Sequence, residues 1–144
     1  MRFELLDRLI ECSPERVVTI KQVSAAEEYL QDHFPGYPVL PGVLMLETMV
    51  QAARAWVERF HSGPGPVVLG EVRALKYNRF VRPGSTIRAE VEPDRASDEG
   101  WSFSGQVILL DPSGGEGVVA ASGRFGLRPV RVGGGGVGGG AGGA

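Results

Sequence analysis

The sequence predicts an α+β domain in which one antiparallel sheet curls around a single central helix. Three observations carry that expectation. Residues 43–53, VLMLETMVQAA, are apolar on nearly every side of a helix, and a helix apolar all round has to be buried all round. That stretch is too short to cross a bilayer, so protein has to wrap it. The runs VVLGEVRALKYNRF, STIRAEVEPDR, WSFSGQVILLD and VVAASGRFGLR follow it. They read as strands divided by the turn sequences RPG, ASDEG and PSGGEG, and strands so closely joined pair antiparallel.

The elements before the helix come in order. FELLDRLIEC fits helix or strand when taken alone. RVVTIKQVS is a strand, because Val17, Val18, Thr19, Ile20 and Val23 favour the extended backbone. With SPE between them, the two segments read as a hairpin. SAAEEYLQD opens on Ser24 as an N-cap, with Glu27 three residues on to complete a capping box, and predicts a short helix. The loop HFPGYPVLPG follows, stiffened where Pro35, Pro38 and Pro41 fix φ. Pro41 suits the first position of the central helix, since the N–H it lacks would have no partner there. The helix then runs to Phe60, with Gly63 and Pro64 to stop it.

Residues 133–144, GGGGVGGGAGGA, hold nine glycines and can bury almost nothing. The expected organisation is a folded domain over 1–129 and a flexible Gly-rich tail over 130–144. A chain of 144 residues is one ordinary domain with room for a core. Its net charge of −2 gives no reason to expect nucleic acid. No run of eighteen apolar residues marks a membrane span. The first residues, MRFELLDRLIEC, lack the layout of a signal peptide. Cys12 is the single cysteine, which excludes an internal disulfide, fits a cytoplasmic protein, and reads as a small buried hydrophobe.

Chemistry centres on the loop and the helix start. Glu47 is the one charged residue in an otherwise apolar stretch. On a buried helix its carboxylate is costly, and burial favours the protonated form that a general acid needs. The alternative is a carboxylate that reaches solvent or pairs with Arg54. His33 heads the stiff loop and is a candidate general base, or else a structural or exposed histidine. Gly42 and Val43 begin the helix, where their N–H groups lack intrahelical partners and can face a carbonyl oxygen, or only water. Glu47 lies about 7 Å along the helix from Gly42, so spacing alone does not bring His33 and Glu47 to one substrate atom. His61 reads as a surface residue.

The segment HFPGYPVLPGVLMLETMVQAA resembles the signature of the hotdog-fold 3-hydroxyacyl-[acyl-carrier-protein] dehydratases of the FabZ type. LLDRLIECSPERVVTIKQVS and YNRFVRPGSTIRAEVE are similar to two further family segments, so that about residues 3–128 are covered. Ser85 stands where the family usually has Asp, and the family usually has a longer N-terminal segment. The resemblance implies the hotdog fold. It also implies a homodimer, or a trimer of dimers, with His33 of one chain facing Glu47 of the other. In that reading His33 removes the α-proton of a 3-hydroxyacyl thioester, Glu47 protonates the departing hydroxyl, and Gly42 and Val43 receive the thioester oxygen. The related FabA type carries Asp at the acid position, so Glu47 favours FabZ. No cofactor and no metal are implied. The partner implied is an acyl carrier protein, and Arg79 and Arg82 are candidates to dock it. They belong to the acid-free stretch Arg73–Arg88, with Arg73, Lys76 and Arg88. Regular alternation would separate Arg73 and Arg79 from the other three. The rival readings are a hotdog thioesterase or enoyl hydratase, and a non-catalytic acyl-binding subunit.

Overall fold

The computed structural model describes residues 5–24, 40–61, 65–97 and 99–130. The expected helix after Ser24, most of the loop with His33, and residues 131–144 lie outside the described residues. Strands β1 (Arg8–Ser13) and β2 (Arg16–Gln22) form the hairpin, helix α1 (Gly42–Phe60) follows, and β3 (Val67–Tyr77), β4 (Thr86–Ser97), β5 (Gly100–Leu109) and β6 (Val118–Pro129) complete the chain. The strands make one antiparallel sheet in the order β1-β2-β4-β5-β6-β3.

The ambiguous first segment is a strand. Its turn decides this. Ser13 pairs with Arg16 across Pro14 and Glu15, and the Arg16 N–H donates to Ser13 Oγ at 3.3 Å. Such a short loop permits only an antiparallel return.

One face of the sheet carries the core. Val17 pairs with Val91, Ala89 with Val107, and Phe103 with Phe125, and all are buried on the side that meets α1. The helix answers with Met45, Met49, Ala52, Ala53, Trp56 and Val57. Gly105 keeps β5 low enough for this contact, because a Cβ there would stand 3.0 Å from the Met49 sulfur. At the far end Trp56 meets Phe103 edge-on at 5.6 Å, and its Nε1–H donates to the Ser13 carbonyl at 3.0 Å. Truncating such large core side chains to alanine costs about 2–5 kcal/mol each.

Four expectations need correction. The helix is not buried all round: Val43 is 64% exposed, and Glu47, Gln51 and Arg54 are partly exposed on the same stripe. The sheet of one chain covers only one side of a cylinder. Pro41 stands just before the helix, at φ −57° and ψ 139°, since that ψ is extended. The helix itself ends at Phe60, as expected, where the His61 N–H bonds to the Val57 carbonyl at 2.8 Å. His61 is half-buried, with its ring between Trp56 at 5.0 Å and Trp101 at 5.3 Å. Cys12 is only partly buried, and burial pushes its thiol up against the opposing pull of Arg59.

Strand β3 is irregular where the site lies. Arg73 pairs with Arg124 and Lys76 with Ser122, so three steps on β3 answer two on β6. This bulge holds Ala74 at φ 54°. Because the side-chain period is two, one extra residue swaps the faces of everything after it. Lys76 thereby joins Arg73 on the outer face, and regular alternation fails. Tyr77, paired with the fully buried Ala121, turns to the helix side.

A non-glycine residue in the left-handed region is strained by about 1–2 kcal/mol. Ala74→Gly should therefore raise stability by up to ~1 kcal/mol after its entropic cost. Ala74→Val should lower it by ~1 kcal/mol or more, because branching at Cβ worsens the clash. Urea unfolding midpoints of the two variants measure the difference, and equal midpoints would remove strain at Ala74 as the cause.

Candidate active site

The start of α1 is chemically open. The Pro41 carbonyl accepts from the Leu44 N–H at 2.9 Å and the Met45 N–H at 3.4 Å. The N–H groups of Gly42 and Val43 have no hydrogen-bond acceptor among the described residues. Unpaired N–H groups at a helix start carry the positive end of its dipole. Leu40 holds this start in place, since its N–H donates to the Val81 carbonyl at 2.7 Å.

A cleft of about 260 Å³ adjoins the helix start at Gly42. Leu40, Gly42 and Met45 line it from the helix side, and Tyr77, Asn78, Arg79 and Phe80 from the end of β3. The lining is mostly apolar. Tyr77 lies so close to the helix that a Cβ on Gly42 would stand 2.9 Å from its ring carbon Cζ. A side chain at 42 would therefore displace this half-exposed ring. Burial pushes the Tyr77 phenol above its ordinary value, so it remains a neutral O–H donor at working pH. Phe80 is 70% exposed at the rim.

Glu47 projects from the uncovered stripe of α1 and does not line this cleft. Its side chain is 36% exposed, so of the two readings, burial or contact with solvent and Arg54, the single chain shows the second. Two neighbours hold it. Gln51 Nε2 donates to Glu47 Oε2 at 3.2 Å, and Arg54 Nη1 stands 3.9 Å from the same oxygen. Gln51 cannot turn its amide freely, because its Oε1 accepts the Leu5 N–H at 2.9 Å. The backbone donor fixes which end of the amide meets the carboxylate.

The structure thus brings Gly42, Val43 and Glu47 onto one helix, with Arg79 at the cleft. His33 lies outside the described residues. Arg82 is exposed just before the turn at Pro83 and Gly84. Arg88 is engaged by Glu90 at 2.8 Å and Arg73 by Glu71 at 3.5 Å, while Lys76 and Arg79 are exposed. Two site residues escaped the sequence reading. Gln51 had a signal, its i+4 spacing from Glu47. Tyr77 had none, because a bulge is not written in the alternation of side chains. Among the described residues no three His, Cys, Asp or Glu gather closely enough to hold a metal ion.

Residues 10–114 match the family described as ApeI-like, ApeI dehydratase. The chain is 42% identical over 95 residues to the 3-hydroxyacyl-[acyl-carrier-protein] dehydratase FabZ of Chloroflexus aggregans, covering 65% of this chain and 66% of that one. It is 35% identical over 126 residues to the FabZ of Rickettsia massiliae, covering 85% and 83%. The chain spans just under two thirds of the length of the first of these relatives. Among solved structures it is similar to the dehydratase heterocomplex ApeI:P from Xenorhabdus doucetiae, with a TM-score of 0.71, 22% identity and 89% and 84% coverage. It is also similar to an acyl-CoA hydrolase from Staphylococcus aureus, with a TM-score of 0.63, 12% identity and 81% and 66% coverage. These two likenesses establish the shared hotdog fold.

Replacing Gln51 by alanine should lower stability by about 1 kcal/mol, because the partly buried Leu5 N–H loses an acceptor. Arg54→Ala should cost less than ~1 kcal/mol, since the Glu47–Arg54 pair is long and half-exposed. Chemical unfolding of both variants checks the order, and a larger loss for Arg54→Ala would reverse it.

Proposed function

Because the chain belongs to the ApeI-like family of dehydratases, we propose that it converts 3-hydroxyacyl thioesters on an acyl carrier protein to trans-2-enoyl thioesters, in fatty-acid or related lipid synthesis. The observation that carries this reading is the open first turn of α1. The unpaired amides of Gly42 and Val43 lie there, Gly42 lining an apolar cleft, with Glu47 farther along the same helix. The thioester oxygen sits against the two amides, which stabilise the negative charge that grows on it as the α-proton leaves. His33 takes that proton. The electron pair of the C–H bond becomes the new C=C bond, and the bond from the β-carbon to the hydroxyl oxygen breaks. Glu47, in its protonated form, gives its proton to that oxygen, and water departs. Proton exchange with solvent then resets both side chains.

Glu47 faces away from the cleft of its own chain, which supports a site completed by a second copy. The uncovered stripe of α1 and the edge strand β3, with Leu69, Val72 and Tyr77 exposed, offer a surface for that copy. We therefore read the working unit as a homodimer with His33 of one chain serving Glu47 of the other. A trimer of dimers is the larger assembly the resemblance implies. The free Cys12 suits a cytoplasmic enzyme. Lys76, Arg79 and Arg82 form the surface on which an acidic carrier docks.

His33→Ala and Glu47→Gln should each slow formation of the enoyl product by ~10²-fold or more while the fold survives. Mixing the two inactive variants under conditions of subunit exchange should restore part of the activity. Recovery that never appears after verified exchange would place both residues of a working pair on one chain. Wild-type rate in Glu47→Gln would sink its role as the acid.

Reversing Arg79 and Arg82 to Glu should lower kcat/KM for carrier-bound substrate by ~10-fold more than for a small thioester at low salt, and added salt should shrink the gap. Steady-state kinetics on both substrates reads this ratio. An equal loss on the two would assign the arginines to the fold or the acyl site instead of the carrier.

A further inference from the structure

We propose that Tyr77 is a specificity-determining residue of this site, its ring closing the cleft beside the helix start and limiting the bulk of the acyl group accepted there. The inference rests on the dehydratase reading and deepens it. Tyr77 is 48% exposed, so core packing does not explain its position beside the helix start. Two features hold it. The bulge between Arg73 and Lys76, with Ala74 at φ 54°, turns Tyr77 from the outer face of β3 to the helix side. Without that extra residue Tyr77 would share the solvent face with Arg73. Gly42 supplies the second feature, since any larger residue there would push the ring away from the first turn. Backbone strain and a glycine thus converge on one ring, and bulges of this kind re-aim side chains next to sites.

The ring lies where an acyl group must pass. Gly42 contributes both the contact with Tyr77 and one of the two unpaired amides. A thioester oxygen on those amides brings the carbons attached to the carbonyl into the cleft among Leu40, Met45, Phe80 and Tyr77. Of these walls, the Tyr77 ring is the one pressed against the amide-bearing turn.

The test compares kcat/KM for a short and a long 3-hydroxyacyl thioester, followed by enoyl formation, in the wild type and in Tyr77 variants. Tyr77→Ala should raise the long-to-short ratio by ~10-fold or more, the scale on which a pocket discriminates methylene groups. Tyr77→Phe should keep the wild-type ratio, because the ring and not the hydroxyl forms the wall. Tyr77→Trp should move the ratio the opposite way, which keeps the test decisive if the alanine variant folds poorly. A ratio unchanged in the alanine and tryptophan variants would overturn the proposal even if the overall rate fell. A wild-type protein that dehydrates neither thioester would instead overturn the dehydratase reading, so the two failures are distinct.

Discussion

The concave face of the sheet buries Met45, Met49, Ala53, Trp56 and Val57 of α1 against strands that carry Val91, Phe103, Val107 and Phe125, and every other group takes its position from that contact. Dispersion and burial of apolar surface fix the helix in depth and in rotation. Once Met49 rests over Gly105, the opposite stripe of α1 is fixed as well. Val43, Glu47, Gln51 and Arg54 therefore face outward together. The polar residues of the site are on the uncovered side because the apolar ones occupy the other.

Backbone groups then tune what the core has placed. The Leu5 N–H orients the amide of Gln51, and that amide orients the Glu47 carboxylate. A residue before the first strand thus acts on the helix carboxylate through one intermediary. At the helix start the Val81 carbonyl anchors Leu40, which ties the first residues of the helix start to the segment after β3. The cleft between them has walls joined by a hydrogen bond, which suits a site that must keep two amides aligned on one oxygen.

The edge strand has two duties that regular geometry would set in conflict. Its outer face carries charged residues, Glu71, Arg73 and Lys76, which keep it in water. Its end has to offer an aromatic ring to the helix. One inserted residue reconciles them, at the cost of the left-handed backbone of Ala74. The same insertion gathers Arg73 and Lys76 on one face, although Glu71 already engages Arg73.

The sequence by itself determined the architecture, because periodicity, turn chemistry and apolar runs are local properties. The strands after the helix, the hairpin at SPE and the helix through Val43–Ala53 are legible in this way, and the helix-start amides and Glu47 come with them. FELLDRLIEC was not legible, since only its pairing with β2 selects the extended form. The environment of Glu47 was legible only as two alternatives, burial or contact with solvent and Arg54. One chain has sheet enough for only one side of the helix, so the second holds, and Gln51 and Arg54 meet the charge. His61 looked like a surface residue because its partner Trp101 is forty positions away. The placement of Tyr77 was decided by tertiary structure alone. A bulge arises from the match between two strands distant in sequence, β3 and β6, and a single strand carries no record of where its partner falls out of step.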